Sequence, residues 1–182
     1  ELPRTDLIFV QDIMKKYPLH NYDRAARIMK ELRCIKTAEE VAVTQTAVDI
    51  TAKAFERVMK FLQPGVMEYE IEAEITHEFL RNRATGHAYG CIIASGDRAR
   101  TLHYEDNNEV CKDGELILMD FGAEYGHYNA DLTRTIPVNG KFTDRQKEVY
   151  NACLAVHNHG KSILKPGIPF QDYVKSINAE ME

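Results

Sequence analysis

Two stretches, Phe61-Leu62-Gln63-Pro64-Gly65-Val66 and Ile163-Leu164-Lys165-Pro166-Gly167-Ile168, align without a gap, and each joins one helical pattern to the next. Proline cannot continue a helix, and glycine accepts the left-handed backbone that closes one, so both stretches read as helix–turn–helix joints. Ahead of the first joint, Val48, Thr51, Ala52, Phe55, Val58, Met59 and Leu62 make a stripe at helical spacing. Thr37-Ala38-Glu39-Glu40 fits a capping box at the start of that helix. Beyond the joint, Ile71, Ile75 and Phe79 recur at i, i+4 across roughly 68–83. Ahead of the second joint, Thr143-Asp144-Arg145-Gln146 offers another capping box, and Tyr173, Val174 and Ile177 mark a helix after it. Such a joint is common on its own. With the capping boxes counted, a duplicated unit, helices first and strands second, is the stronger reading.

The strands of the first unit lie between. Ala88–Ala94 reads as a strand, Ser95-Gly96-Asp97 as a turn, Thr101–Tyr104 as a short extended piece and 105–114 as a polar loop. A hairpin follows, about 115–123 and 128–138, closed by Asn139-Gly140. The second unit delivers its helices, and Glu182 falls where its strands should begin. The expectation is an α+β architecture cut in mid-plan. Residues 1–22, mixed and holding Pro3 and Pro18, read as the end of an upstream region or linker. Residues 23–182 read as an incomplete domain, opening with a helix on Ala26, Ile28, Met29 and Leu32.

The hairpin carries the chemistry. A turn centred on Tyr125-Gly126 sets Asp120 directly opposite Asp131. Opposed residues of an antiparallel pair have Cβ atoms ~5 Å apart, and like charges there are destabilising. A hard or borderline divalent cation, which takes oxygen ligands, would cancel the repulsion. Two cations ~3.5–4 Å apart, bridged by a shared carboxylate, form the clamp of hydrolytic two-metal sites. Thr133, two residues from Asp131, projects from the same face and could orient a ligating carboxylate. An exposed hairpin, a slipped turn or one aspartate kept protonated would each explain the pair without metal.

Composition excludes several classes. Hydrophobic residues at 44% and charged residues at 28% are those of a soluble globular protein. A net charge of −5 and a pI near 5.8 leave no basic patch for nucleic acid. No apolar run approaches the ~18 residues of a membrane span. Glu1–Asp6 has neither the basic nor the apolar part of a signal peptide, and no initiator Met. Cys34, Cys91, Cys111 and Cys153 show no C-x-x-C spacing; free thiols in a reducing cytosol are the better reading, with disulfides left open. His157 and His159, at i, i+2 on a helix, point to different faces and read as structural. Alternation places Arg134 on the face opposite Asp131, with no catalytic role.

A resemblance sharpens this. Leu118-Met119-Asp120-Phe121-Gly122-Ala123-Glu124-Tyr125, followed by Tyr128-Asn129-Ala130-Asp131-Leu132-Thr133-Arg134-Thr135-Ile136-Pro137-Val138-Asn139-Gly140, is similar to the first metal-ligand segment of the Xaa-Pro aminopeptidase and prolidase metallopeptidases. Ser95-Gly96, then Leu102-His103-Tyr104 and Asn107-Asn108, resembles their active-site histidine segment, and Leu32–Glu40 the start of their catalytic domain. The likeness covers about 24–170, and methionine aminopeptidases, which share the fold, fit less well. It implies the α+β pita-bread (creatinase/aminopeptidase) fold, here its first half plus the helical start of the second pseudo-repeat.

The same resemblance implies roles. Asp120 and Asp131 would be two of five metal ligands, Asp131 bridging two ions and Asp120 binding one. His103 would stabilise the tetrahedral intermediate without ligating metal, and His87 would lie near the carboxylate end of the substrate. The remaining ligands, a histidine and two glutamates, belong to the second half of the fold, which this chain does not include. The implied activity is hydrolysis of the bond preceding proline in peptides, using two divalent ions, Mn²⁺ first, then Co²⁺, Zn²⁺ or Fe²⁺. Cytoplasmic location, a homodimer at full length, and weak metal occupancy with no appreciable activity for this chain alone are further expectations. The alternative is a peptide- or protein-binding module of the same fold without catalysis.

Overall fold

The computed structural model describes residues 4–182; the expectation for Glu1-Leu2-Pro3 lies outside the described residues. The chain forms two compact units, Glu1–Val41 and Ala42–Glu182. In the first, the region read as mixed holds a helix, α1 (Thr5–Lys16), which stops at Tyr17 ahead of Pro18, where the proline ring disfavours helical backbone. Helix α2 (Ala26–Cys34) follows as expected.

Both capping boxes form. Thr37 Oγ1 accepts from Glu40 N at 3.3 Å and Glu40 Oε2 from Thr37 N at 2.6 Å, opening α3 (Ala38–Phe61). Thr143 Oγ1 accepts from Gln146 N at 3.3 Å and Gln146 Oε1 from Thr143 N at 2.9 Å, opening α5 (Asp144–Ile163). Each helix gives way to a Pro-Gly joint, and Gly65 and Gly167 turn there at φ 95° and 90°. The aligned stretches thus share a backbone geometry. Helix α4 (Glu68–Arg81) follows the first joint and α6 (Phe170–Met181) the second.

Among the described residues, six strands form two antiparallel sheets, ordered β1-β4-β5 and β2-β3-β6. The strand expected at 88–94 is two, β1 (Gly86–His87) and β2 (Ile92–Ser95), and the turn after it is a 3₁₀ helix over Gly96–Arg100. Strand β3 (Leu116–Phe121) explains the layering through its alternation. Ile117, Met119 and Phe121 are fully buried, clustered with Ile50, Ala54 and Val58 of α3 and Ile71, Ile75 and Phe79 of α4. Burial of each such side chain contributes roughly 1.5–3 kcal/mol. Leu118 and Asp120 take the other face, beside Ala94 and Ile92 of β2 and opposite Thr135 and Thr133 of β6 (Leu132–Pro137). One face of this sheet is core; the other is free for chemistry.

The hairpin register differs from expectation. The turn is Gly126-His127, both with positive φ (57° and 66°), which matches the twist of a two-residue hairpin loop. It joins β4 (Ala123–Tyr125) to β5 (Tyr128–Asn129), with Tyr125 paired to Tyr128, and Asp120 therefore sits opposite Thr133 and not Asp131. Histidine tolerates left-handed backbone more often than most residues, and that tolerance moved the turn by one position. A pairing shift of two residues keeps every side chain on its face, so the aspartates stay together although they are not directly opposed.

The hairpin is also broken. At Gly122 a Cβ would stand 1.8 Å from the carbonyl oxygen of Ala130, so only glycine allows that crossing. The break is satisfied from outside: Ala123 N donates to Thr51 Oγ1 of α3 at 3.0 Å, and Ala88 N to Gly122 O at 2.8 Å. Asp131 lies in the gap between β5 and β6.

Candidate active site

Asp120 is half-buried near the end of β3, and Asp131 is exposed in the gap. One side chain connects them. The Tyr89 hydroxyl lies 2.6 Å from Asp120 Oδ1 and 3.0 Å from Asp131 Oδ1, so the two oxygens are no further apart than those bonds laid end to end. Burial first, then the hydrogen bonds to the two aspartates, push the Tyr89 phenol well above its ordinary value, so it stays a proton donor. A phenol has one proton for two acceptors. Facing lone pairs are left over, and a divalent cation suits such a carboxylate pair. Among the described residues no three of His, Cys, Asp and Glu converge to hold an ion, so the pair fits part of a coordination shell and not a whole one.

His103 arrives from a loop. The piece expected to be extended is a turn, and His103 takes left-handed backbone at φ 53°. Its exposed side chain lines a cavity of about 280 Å³ whose floor is the free face of the sheet, with Ile92, Ala94, Leu118, Asp120 and Thr133. The sheet alternation thus brings Asp120 and Thr133 to the same cavity as His103.

The loop is held by buried polar groups. Glu68, fully buried at the first turn of α4, accepts from Ser95 N and Ser95 Oγ at 2.7 Å each, Tyr104 Oη at 2.7 Å and Glu109 N at 3.0 Å. Asn107, also buried and left-handed at φ 45°, accepts from Ile93 N at 2.9 Å and donates to Cys91 O and Glu72 Oε2 at 2.8 Å each. Its side chain stands in for a strand along the edge of β2. Residues 104–109 are therefore clamped on either side, and His103 projects from the clamp.

His87 is turned elsewhere. Its Nε2 lies 2.7 Å from Thr76 Oγ1 of α4, and its ring meets Phe79 edge-on at 4.9 Å. Thr76 gives its own proton to Glu72 O at 2.8 Å, so His87 Nε2 is the donor and buried Nδ1 is left without a partner. Burial holds the imidazole below its ordinary pKa, with Glu72 opposing, and the ring stays neutral. His159 ties α5 to α6 through Ser176 Oγ at 2.9 Å, while His157 and Arg134 line a groove between β6 and α5. Cys91 and Cys111 are buried and their thiols pushed up, Cys111 to about 11, chiefly by burial, so neither is a ready nucleophile.

Sequence reasoning overlooked Tyr89, Glu68, Asn107 and Gly122. The histidine segment already contained Asn107, and Gly122 sits two residues after an aspartate in a strand, where glycine signals a close approach. Nothing local marks Glu68 as buried.

Comparison with known proteins shows the family. The family model described as metallopeptidase family M24 matches residues 42–182. The chain is 43% identical over 140 residues to Xaa-Pro aminopeptidase of Escherichia coli strain K12, covering 77% of this chain and 32% of that protein. It is 39% identical to Xaa-Pro aminopeptidase of Haemophilus influenzae, covering 85% and 35%. It spans about a third of the length of these curated relatives. A structure from Bacillus anthracis assigned as an aminopeptidase P superposes at TM-score 0.93 and 33% identity, over 100% of this chain and 43% of that one. Zinc-substituted E. coli aminopeptidase P, in complex with product, superposes at 0.80 and 40% identity, over 82% and 34%. The architecture is the α+β pita-bread arrangement of these neighbours, and the chain belongs to metallopeptidase family M24.

Proposed function

We propose that this chain supplies one half of the active site of a dinuclear metallopeptidase that hydrolyses the peptide bond preceding proline. The observation that carries the reading is the pair Asp120 and Asp131, sharing a single phenolic proton beside a cavity that His103 also lines. The identity to Xaa-Pro aminopeptidases supports the substrate class.

Asp120 would hold one divalent ion and Asp131 would bridge two, with Mn²⁺ the first choice and Co²⁺, Zn²⁺ or Fe²⁺ behind it. When bound, the ions polarise the scissile carbonyl and lower the pKa of water. This chain's residues do the rest. Tyr89 keeps the carboxylates in register and retains its proton. Thr133, facing Asp120 across the strands, orients that carboxylate. His103 donates to the carbonyl oxygen as it gains charge, a preorganised contact of the kind worth several kcal/mol in the transition state, roughly 3–4 where one donor has been removed. His87 would act at one remove, fixing β1 to α4 below the substrate.

The proposal extends to the surroundings. Residues 23–182 are assigned to the catalytic domain and 1–22 to the end of an upstream region. All four cysteines are free, which supports a cytoplasmic protein. The homodimer rests on the family likeness. With two of five ligands, this chain alone would be inactive. The test is Mn²⁺-dependent release of the first residue from an X-Pro peptide by the full-length protein. Turnover that chelation abolishes is expected. A folded protein that binds such peptides and leaves them intact with every divalent metal would be a binding module instead.

A further inference from the structure

His103 holds a backbone conformation that a histidine adopts only under constraint. Among the described residues, four other than glycine have positive φ: Arg83 just past α4, His127 in the hairpin turn, and His103 and Asn107, which bracket residues 104–106. A residue held there costs free energy and stays only where its surroundings over-determine it. On the N-terminal side of His103 the hold is light: Thr101 N donates to Arg98 O at 2.8 Å, and Thr101, Leu102 and His103 are exposed. The firm constraint comes from the residue after it. Tyr104 is 4% exposed, and its hydroxyl donates to Glu68 Oε2 at 2.7 Å, with Asn108 Oδ1 a longer contact at 3.2 Å. Burial first, then that bond, push the phenol above its ordinary pKa, so it remains the donor. Glu68 is itself fixed at the first turn of α4 by Ser95 and the Glu109 amide. A hydrogen bond to a carboxylate is about twice as strong as one between neutral groups. Arg98 closes the outer side, its guanidinium 5.8 Å from the centre of the Tyr104 ring and its Nη2 2.7 Å from Glu109 Oε1.

We infer that Tyr104, through its buried bond to Glu68, is a positioning residue for the reaction, keeping His103 in left-handed backbone and its imidazole in the cavity that Asp120 lines. The inference rests on reading His103 as the donor to the scissile carbonyl, and it adds a dependence that the reading itself does not require. Tyr104 does not line that cavity; it acts through its neighbour. Without the hydroxyl, the strain at His103 loses the contact that opposes it, and the peptide ahead of Tyr104 is free to carry the imidazole away. A misplacement of ~1 Å can cost about 10²-fold in rate. Asn107 still ties the other end of the loop to β2, accepting from Ile93 N at 2.9 Å and donating to Cys91 O at 2.8 Å, so the displacement is partial.

The test compares variants of the full-length protein, with Mn²⁺ and an X-Pro peptide. Tyr104→Phe should lower kcat about tenfold and leave KM within about twofold, the pattern of an interaction felt in the transition state. His103→Ala should lower kcat about 10²–10³-fold, and the double variant should be no slower than His103→Ala. A contact that only steadied the fold would act independently and slow the double variant by a further factor of about ten. Glu68→Gln, which weakens the same bond from its other end, should show the same split between kcat and KM. In this chain, nuclear magnetic resonance reads the backbone directly. The strong amide–Hα Overhauser effect of left-handed backbone at His103 should weaken in Tyr104→Phe, while unshifted amides at Ile117 and Met119 report an intact core. A native kcat in Tyr104→Phe or Glu68→Gln, an additive double variant, or an unchanged Overhauser effect would overturn the inference. A His103→Ala enzyme as fast as the native one would overturn the role of His103 in the peptidase reading, and the inference with it. A slow His103→Ala beside an unimpaired Tyr104→Phe would sink the inference alone.

Discussion

Carboxylates at the two ends of β2 stand in opposite conditions: Glu68 of α4 against Ser95, and Asp120 of β3 against Ile92. Glu68 is wholly buried, yet it has four donors: two from Ser95, the Tyr104 hydroxyl and the Glu109 amide. Asp120 and Asp131 are closer to water, yet they share one donor, the Tyr89 hydroxyl. A carboxylate costs several kcal/mol to bury unless its lone pairs are satisfied. Glu68 meets that condition within the fold and has no call on a cation. The aspartate pair does not meet it, and that deficit is what the proposed metal role would answer.

The contrast can be broken most forcefully at Glu68. Glu68→Ala should destabilise Ala42–Glu182 by about 4 kcal/mol, because buried donors lose their acceptor. Glu68→Gln, which keeps an acceptor oxygen, should cost about half as much. Urea denaturation measures both, and a loss under about 1 kcal/mol for the alanine variant would remove Glu68 from its structural role. Next comes Gly122→Ala, whose Cβ meets the Ala130 carbonyl. It should cost about 2–3 kcal/mol and displace Asp131, so the Tyr89 hydroxyl should lose one acceptor. Amide shifts at Ala130 and Asp131 unchanged from the native chain would contradict that.

His87 gives a smaller, pH-dependent effect. Its folded pKa lies below the unfolded value of ~6.5. Between the two, the unfolded chain binds the extra proton, so stability rises with pH through that window and falls on acidification below about 6.5. The groups around it are Thr76, Phe79 and the Glu72 carboxylate, the last opposing the shift. His87→Gln should flatten the pH dependence of the urea midpoint in this range, and an unchanged slope would refute the assignment. Smallest in stability, and opposite in sign, is Asp120→Asn. Relieving the like charge should leave the fold unharmed or stabilise it by about 0.5 kcal/mol. A clear loss of stability would mean that Asp120 is structural like Glu68.

Much of this was legible in the sequence because it is local. Both capping boxes and the Pro-Gly joints depend on neighbours within four residues, and each took the expected form. The helix expected from the α3 stripe also formed, but its buried face is Ala47, Ile50, Thr51, Ala54 and Val58, with Val48, Ala52 and Met59 of that stripe exposed. The alternation of β3 placed Ile117, Met119 and Phe121 in the core, and the shared face of Asp120 and Thr133 followed from period two, whereas Asp131 lies outside the strands and is joined to Asp120 through Tyr89. The register did not follow, because it depended on His127 accepting positive φ. The break at Gly122 needed knowledge of Ala130, and the clamp on residues 104–109 needed a glutamate from α4 and an asparagine side chain replacing a strand. Those are contacts between distant segments, which no local pattern encodes. His87 shows the same limit, since its spacing said nothing about a ring turned toward Thr76 and Phe79.

The central claim is that Asp120 and Asp131 form a cation half-site while Glu68 does not. Paramagnetic line broadening by substoichiometric Mn²⁺ in this chain tests it most directly. Two carboxylates alone should bind weakly, with a Kd on the order of 1 mM, as in the weakest oxygen-ligand sites. The amide signals around Asp120 and Asp131 should be lost selectively, with those of Glu68 and Ser95 retained, and no selective loss should remain after Asp120→Asn with Asp131→Asn. Signals around the pair that persist as Mn²⁺ rises, or a broadening pattern that survives both substitutions, would contradict it.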